Sequence, residues 1–473
     1  MKLKLRLLLF FVLSIFAFAV VYYISKTFFQ SQMMVQFIWN INTFRGMFAH
    51  LPKNLPKEHI IGSYAFAFKD YYMHLPRTVS QNATYYSFFL GFLGAASVLC
   101  YPFKQNGKLK AVVTHSIIIA LGLGVRLFFA YHTTGNHDMV SWYIDKSVLE
   151  EGKNIFAVTD RYNYSTFWLS TLKFLMKINH FLPQFPFMFI VRAFLTLVDF
   201  ISLWFVIKIA KLIGFSGQKA GALFFLNPVT IIISGYHGQF DNIPVLFLLV
   251  AIYLFVLYER KTTYFSWFLV TLGVIAKHEI LQQSLILLRW MKRSNVQVFA
   301  LFLLTVSLFL LCFVPYWKEG SVRILENVFR YGGISRPYGL AMFDIHPVVA
   351  QLHKYLFIGL LLVWPFYFKT KHLWSSSLIG MLLFLVFTSG VSAQQFVLPI
   401  ALAALQPSIG FYLFSFVTSL FLLGNIDELK MVCFEFVGWN SVWLAVFIWF
   451  ILEVRKSVFE NRAHRLLFQK DRI

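Results

Sequence analysis

The sequence predicts an all-α polytopic membrane protein, a bundle of about twelve to fourteen transmembrane or half-spanning helices. Three observations carry that expectation. The 473-residue chain is 59% hydrophobic and 19% aromatic, with 13% charged residues and a mean hydropathy of +0.68, far more apolar than a water-soluble fold can bury. Stretches such as Leu5–Val20, Val112–Tyr131, Phe299–Tyr316 and Ile379–Thr388 carry few or no charges, and several approach the roughly 20 residues a helix needs to cross a bilayer. The excess of 42 Lys and Arg over 20 Asp and Glu, a net charge of +22, gathers at the ends of these apolar runs. That is the positive-inside and anionic-headgroup pattern, so the partner of the basic residues is the lipid bilayer and no nucleic acid is expected.

Taken in order, Met1–Arg6 is basic and Leu7–Ala19 apolar, which reads as a signal peptide cleaved after Ala17-Phe18-Ala19 or as an uncleaved signal anchor, the anchor favoured because the run continues into Tyr22 and Tyr23 at the interface. Ser25–Ser80 then falls outside the cytoplasm; its lysines and arginines are tolerated because long loops translocate largely regardless of charge. Further spans are expected at Tyr85–Phe103, Val112–Tyr131, Phe187–Leu212, Ala220–Gly235, Ile243–Tyr258, Tyr264–Leu288, Val298–Pro315, Tyr355–Phe368, Leu373–Thr388, Phe396–Leu405, Ile409–Leu423 and Trp439–Val454. Placing the basic clusters Lys104–Lys110, Lys208–Lys219, Arg260–Lys261, Arg289–Arg293, Lys369–Lys371 and Arg455–Arg465 inside makes these spans alternate. The alternation requires Tyr264–Leu288 to be two short helices returning to the side they started from, through a break at Lys277–Glu279. The even total puts both termini in the cytoplasm. Residues 1–111 read as a two-helix extension with an outer loop, 112–405 as the membrane core, and 406–473 as terminal helices with a basic tail. Cys100, Cys312 and Cys433 show neither metal-ligand spacing nor a disulfide framework.

Two loops, His132–Pro186 and Trp317–His353, fall on the non-cytoplasmic face and concentrate the polar chemistry there. The third span runs from the intramembrane Arg126 to Asp138, just past its end. A carboxylate there can take a proton from a hydroxyl; it can equally cap the short helix starting at Met139. Tyr162, Tyr164 and Trp168 offer rings on which a sugar stacks, or form an interfacial belt. His237, Gln239 and Asp241 cluster in the turn Gly-Tyr-His-Gly-Gln-Phe-Asp-Asn, and ionisable groups at membrane depth are costly unless used or paired. Lys277, His278 and Glu279 raise the same question, with an internal Lys277–Glu279 pair as the alternative. Arg330 and Arg336 lie on glycine-rich backbone where guanidinium groups can clamp a phosphate, or bind lipid headgroups. Gln394, in Ser-Gly-Val-Ser-Ala-Gln-Gln, interrupts two apolar segments with an amide. Asp138, Gln239 and Asp241 are expected to share one cavity.

The order of these features resembles the GT-C superfamily of polytopic glycosyltransferases that use polyprenyl- or dolichyl-phosphate sugars. An Arg-bearing helix leads to an outer-loop Asp, then Gly-Lys-Asn-Ile-Phe-Ala and Arg-Tyr-Asn-Tyr-Ser, then Asn-Pro before Gly-Gln-Phe-Asp, and finally Ser-Ala-Gln-Gln before a helix containing Pro399. The likeness covers about Val112 to Leu405. It implies that Asp138 is the catalytic base, and that Gln239 and Asp241 belong to the outer-turn motif shared with dolichyl-phosphate mannose and glucose enzymes. It implies inverting transfer of a hexose, mannose-like, to a glycan, lipid or protein acceptor. Arg126, Tyr162, Tyr164, His237, Gln239, Asp241, Lys277, His278, Arg336 and Gln394 are then the substrate-binding candidates, with Arg336 or Lys277 holding the leaving phosphate. No metal ligands are assigned; a divalent ion is allowed, but no Asp-x-Asp motif calls for one. A bacterial plasma membrane is expected ahead of the endoplasmic reticulum, with the active site on the non-cytoplasmic side. The rival from another class is a transporter or lipid-linked sugar flippase, which would show symmetry-related halves with sites near the midplane. A non-catalytic assembly factor is a third reading.

Overall fold

The computed structural model describes residues 108–133, 135, 137–159, 161–258, 263–291, 293–330, 338–343, 346–368, 370–388, 390–425, 434 and 436–470. The expected helices at Leu7–Ala19 and Tyr85–Phe103, the loop between them, and Arg336 lie outside these residues. Among the described residues all regular structure is helical and no strand occurs. We number the principal helices α1 (Lys108–His132), α2 (His137–Glu150), α3 (Thr166–Phe181), α4 (Phe187–Leu212), α5 (Gly217–Phe225), α6 (Asn242–Leu257), α7 (Thr263–Ala276), α8 (Leu281–Trp290), α9 (Asn295–Leu311), α10 (Pro347–Tyr367), α11 (Leu373–Phe387), α12 (Ile400–Leu405), α13 (Ile409–Asn425) and α14 (Trp439–Lys470).

Among the described residues, four stretches are long and apolar enough to cross a membrane: Thr114–Tyr131, Phe187–Leu212, Asn295–Phe329 and Val348–Tyr367. A fifth is a bent pair, Gly217–Phe225 followed by Pro228–His237, with a 50° angle between the two halves. The expected span Ala220–Gly235 falls within this pair and is bent. The cause is local: the Asn227 side chain accepts the Val229 N–H, and Pro228 stands at the first helical position. Proline lacks an N–H and disfavours helix in the residue before it, so a new helix must start there. The remaining apolar helices, Asn242–Leu257, Tyr264–Ala276, Leu373–Phe387, Ala393–Leu405 and Ile409–Gly424, are 10–17 residues long, shorter than a full crossing.

The expected loops are more helical than anticipated. His132–Pro186 contains α2, the single turn Ile155–Val158 and α3. Asn295–Phe329 continues beyond α9 through Trp317–Arg323 and a π turn at Ile324–Phe329, so the segment after Pro315 begins as helix. Between α7 and α8, Lys277 is extended (φ −154°, ψ 117°) and a 3₁₀ turn follows at His278–Ile280, which divides Tyr264–Leu288 into two short helices. Lys277, His278 and Glu279 occupy that break, where the Lys277 N–H still donates to the Gly273 carbonyl at 2.9 Å and the regular helix then ends.

The core centres on α4, which packs against α1, α5 and α6. Inside it, Arg126 Nε donates to Asp199 Oδ2 at 3.0 Å and to Ser234 Oγ at 3.1 Å. Its remaining nitrogens donate to the Gly122 and Phe225 carbonyls and to Thr230 Oγ1. Asp199 Oδ1 accepts from Asn242 Nδ2 at 3.0 Å, so one buried network ties α1, α4 and α6 to the Pro228–His237 segment. A fully buried charge persists only when paired and hydrogen-bonded in this way. Arg192 does the same for the end of α1, donating to Thr133 Oγ1 and to the Thr133 carbonyl at 2.9 and 2.8 Å. That pairing fixes the chain four residues ahead of the start of α2.

Candidate functional site

A cavity of about 790 Å³ opens where α2, the loop before α3, the α7–α8 break, the π turn at Ile324–Phe329, α10, α11 and the start of α14 converge. Asp138, Tyr164, His237, Lys277, His278 and Gln394 of the sequence-predicted residues line it. Asp138 is half-buried in the first turn of α2. Being inside the helix rather than at its cap, it stands at the positive end of the helix dipole, which favours a carboxylate.

Asp241 and Gln239 correct the expectation of a shared lining: both are fully buried and lie behind the cavity wall. Lys277 connects the two layers. Its Nζ donates to Asp241 Oδ1 at 2.8 Å and lies 3.4 Å from Glu279 Oε1. The same ammonium sits over the rings of Phe240 and Tyr164, 5.4 and 5.6 Å from their centroids. Glu279 Oε1 also accepts from Gln395 Nε2 at 2.7 Å, and Gln395 Oε1 accepts the Ser392 N–H. Gln239 Nε2 donates to the Tyr164 hydroxyl at 3.5 Å. The expected Lys277–Glu279 pair therefore exists as part of a larger carboxylate–ammonium–carboxylate set, with Asp241 the nearer partner.

The turn that carries Gln239 and Asp241 is held against α2. The Trp142 indole donates to the Gly238 carbonyl at 3.0 Å. Gly238 is left-handed (φ +66°), and a Cβ there would overlap Met139 Sδ, so only glycine lets the turn lie this close to the helix bearing Asp138. Beneath, Trp142, Trp168, Phe240 and Tyr164 form a packed aromatic floor, with Trp168 and Phe240 stacked at 4.2 Å.

Two further expectations are corrected. Arg126 is a core residue whose donors are all engaged inside the bundle, and it does not reach the cavity. Tyr162 is fully buried, its hydroxyl donating to the Ser165 carbonyl at 2.6 Å, and Trp168 is equally buried. Of the three aromatics read as sugar platforms, only Tyr164 faces the cavity.

Sequence reasoning passed over Arg161, Glu279, Gln282, Asn327, Lys354 and Gln395 as separate site residues, and all of them line the cavity. Arg161, Glu279 and Gln395 stand inside strings already singled out, so proximity was the usable signal. Asn327 and Lys354 come from helices distant in sequence and carry none. The opposite wall is apolar: Phe357, Ile358, Leu361 and Leu362 of α10 with Phe384 of α11. Among the described residues no group of three or more His, Cys, Asp or Glu side chains is placed to hold a metal ion. No protein-family model matches this sequence, and no curated protein or solved structure matches it.

Proposed function

We propose that this chain is an integral membrane glycosyltransferase of the GT-C kind, moving a hexose, mannose-like, from a polyprenyl- or dolichyl-phosphate carrier to a glycan, lipid or protein acceptor on the non-cytoplasmic face. The observation that carries the reading is the two-sided character of the cavity. Asp138, Lys277, His278, Glu279 and Gln394 present charge and hydrogen-bonding groups, while α10 and α11 present an aliphatic and aromatic wall. A ligand matching both is polar at one end and hydrocarbon at the other, as a lipid-borne sugar is. Most of the wall belongs to Val348–Tyr367, an apolar stretch with only 6% of its window buried within the bundle, a surface suited to lipid.

Asp138 has the place and chemistry for the base. It removes the proton from an acceptor hydroxyl as that oxygen attacks the anomeric carbon; the bond from that carbon to the phosphate oxygen breaks, and the lipid phosphate leaves with the electron pair. Attack from the face opposite the leaving group inverts the anomeric centre. Lys277, held by two carboxylates, fixes the break and the Asp241 turn behind it.

Membranes with and without the protein, incubated with radiolabelled polyprenyl-phosphate mannose, glucose and arabinose, test the reading. Protein-dependent transfer of label to a product separable from the carrier supports it. Movement of intact labelled carrier across sealed vesicles without transfer identifies a flippase, and no response of either kind removes both.

A further inference from the structure

The polar end of the cavity is not uniform in sign. Around the helix break Asp138 and Glu279 line the cavity, and behind them Asp241 and Glu279 hold the ammonium of Lys277. Glu279 Oε2 and Asp241 Oδ2 are buried and accept no hydrogen bond. That side suits hydroxyl donors and repels an anion. Elsewhere on the wall the sign reverses. Arg161 Nη2 and Asn327 Nδ2 are buried nitrogens that donate to no protein acceptor, and Lys354 lines the same cavity from α10. Buried donors are normally satisfied, so two unpaired ones on side chains that line one cavity mark where a ligand's acceptors go once those side chains turn toward it.

The segments that carry Arg161 and Asn327 meet just before the cavity that both residues line. Arg323 donates to the Ala157 carbonyl, and Gly320 packs directly on Phe156. Each segment then runs four residues further to the cavity. Behind Arg161 lies Asp145, fully buried with no hydrogen-bond partner for either oxygen. Burial pushes the Asp145 carboxyl well above its ordinary range, against the pull of Arg161.

Resting on the proposed function, we infer that Arg161, with Asn327 and Lys354, is the seat for the phosphate monoester of a lipid carrier, and that Lys277 is not. A guanidinium offers paired donors to phosphate oxygens, and charge-assisted bonds in a water-poor site are the strong ones. The ligand is thereby oriented: phosphate against Arg161 and Asn327, sugar hydroxyls toward Glu279 and Asp138.

The test uses the full chain in lipid nanodiscs, with polyprenyl phosphate, the uncharged polyprenol and inorganic phosphate as probes, read by titration of the tryptophan fluorescence. Wild type should prefer polyprenyl phosphate to polyprenol by about 10-fold or more, with inorganic phosphate far weaker. Arg161→Gln should remove most of that preference without changing polyprenol affinity, and Arg161→Lys should restore part of it. Should Arg161→Gln fail to fold, Asn327→Asp answers the same question by placing a carboxylate at the seat, and should weaken the phosphate ligand alone. Full preference retained in a folded Arg161→Gln or Asn327→Asp protein overturns the seat and leaves the glycosyltransferase reading standing. Wild type without preference for the phosphate overturns the lipid-phosphate donor itself. Inorganic phosphate binding as tightly as the lipid overturns the lipid source.

Discussion

Asp145 and Asp199 are both buried carboxylates, yet the residues around them give them opposite roles. Asp199 accepts from Arg126 and Asn242 across three elements. Removing one member of such a pair strands the other charge, so Asp199→Ala should cost about 3–5 kcal/mol, seen as a lowered unfolding temperature in detergent. Asp145 has no hydrogen-bond partner, and burial raises its carboxyl well above the ordinary 3.8. The folded chain therefore holds a proton there that the unfolded chain releases, and stability falls as pH rises from about 4 toward the folded value. Asp145→Asn removes that dependence. Its unfolding temperature should match wild type near pH 4 and exceed it increasingly toward neutral pH; a gain that shrinks with rising pH contradicts this account. The two fates were not separable in sequence. Asp145 and Asp199 each sit in an ordinary helical string, and only the third dimension reveals that Arg126, 73 positions from Asp199, is its partner.

Breaks rather than helices position the chemistry. The one at Lys277–Glu279 was legible, because a continuous crossing would have put Arg289–Arg293 on the wrong side of a membrane. The one at Asn227–Pro228 was written as plainly, in a proline, but apolar composition on both sides concealed it. Gly238 makes the cost of the turn measurable. Gly152 is also left-handed (φ +67°), with nothing within 4 Å of a Cβ, so Gly152→Ala should show the backbone term alone, roughly 1–2 kcal/mol. Gly238→Ala adds the overlap with Met139, next to Asp138. It should destabilise more and lower transfer activity as well. Equal melting shifts for the two variants would show that the Met139 contact is not limiting.

At the scale of the molecule, composition disclosed the helical class and the apolar spans, while the count of crossings was less legible. Several expected spans are helices of 10–17 residues whose ends lie at breaks, and hydropathy reports apolar length without reporting where a helix turns back. Sidedness is the part of the proposal that topology can test. If the cavity opens to the non-cytoplasmic face, cysteines introduced at Asn163 and Lys354, which both line it, are labelled by an impermeant maleimide in intact cells, and one at Lys371 only after permeabilisation. Labelling in the reverse order would place the cavity on the cytoplasmic side.

The central claim is that Asp138 removes a proton during sugar transfer. Asparagine keeps the size and most of the hydrogen bonding of the side chain and loses its basicity, at the small cost of the carboxylate's interaction with the helix dipole in the first turn of α2. The direct measurement is the transfer rate of purified Asp138→Asn protein in liposomes, with a synthetic polyprenyl-phosphate sugar, beside wild type. A fall of about 100-fold or more in a protein that still folds and still binds the donor is the predicted result. Near-normal turnover by the Asp138→Asn protein would contradict it.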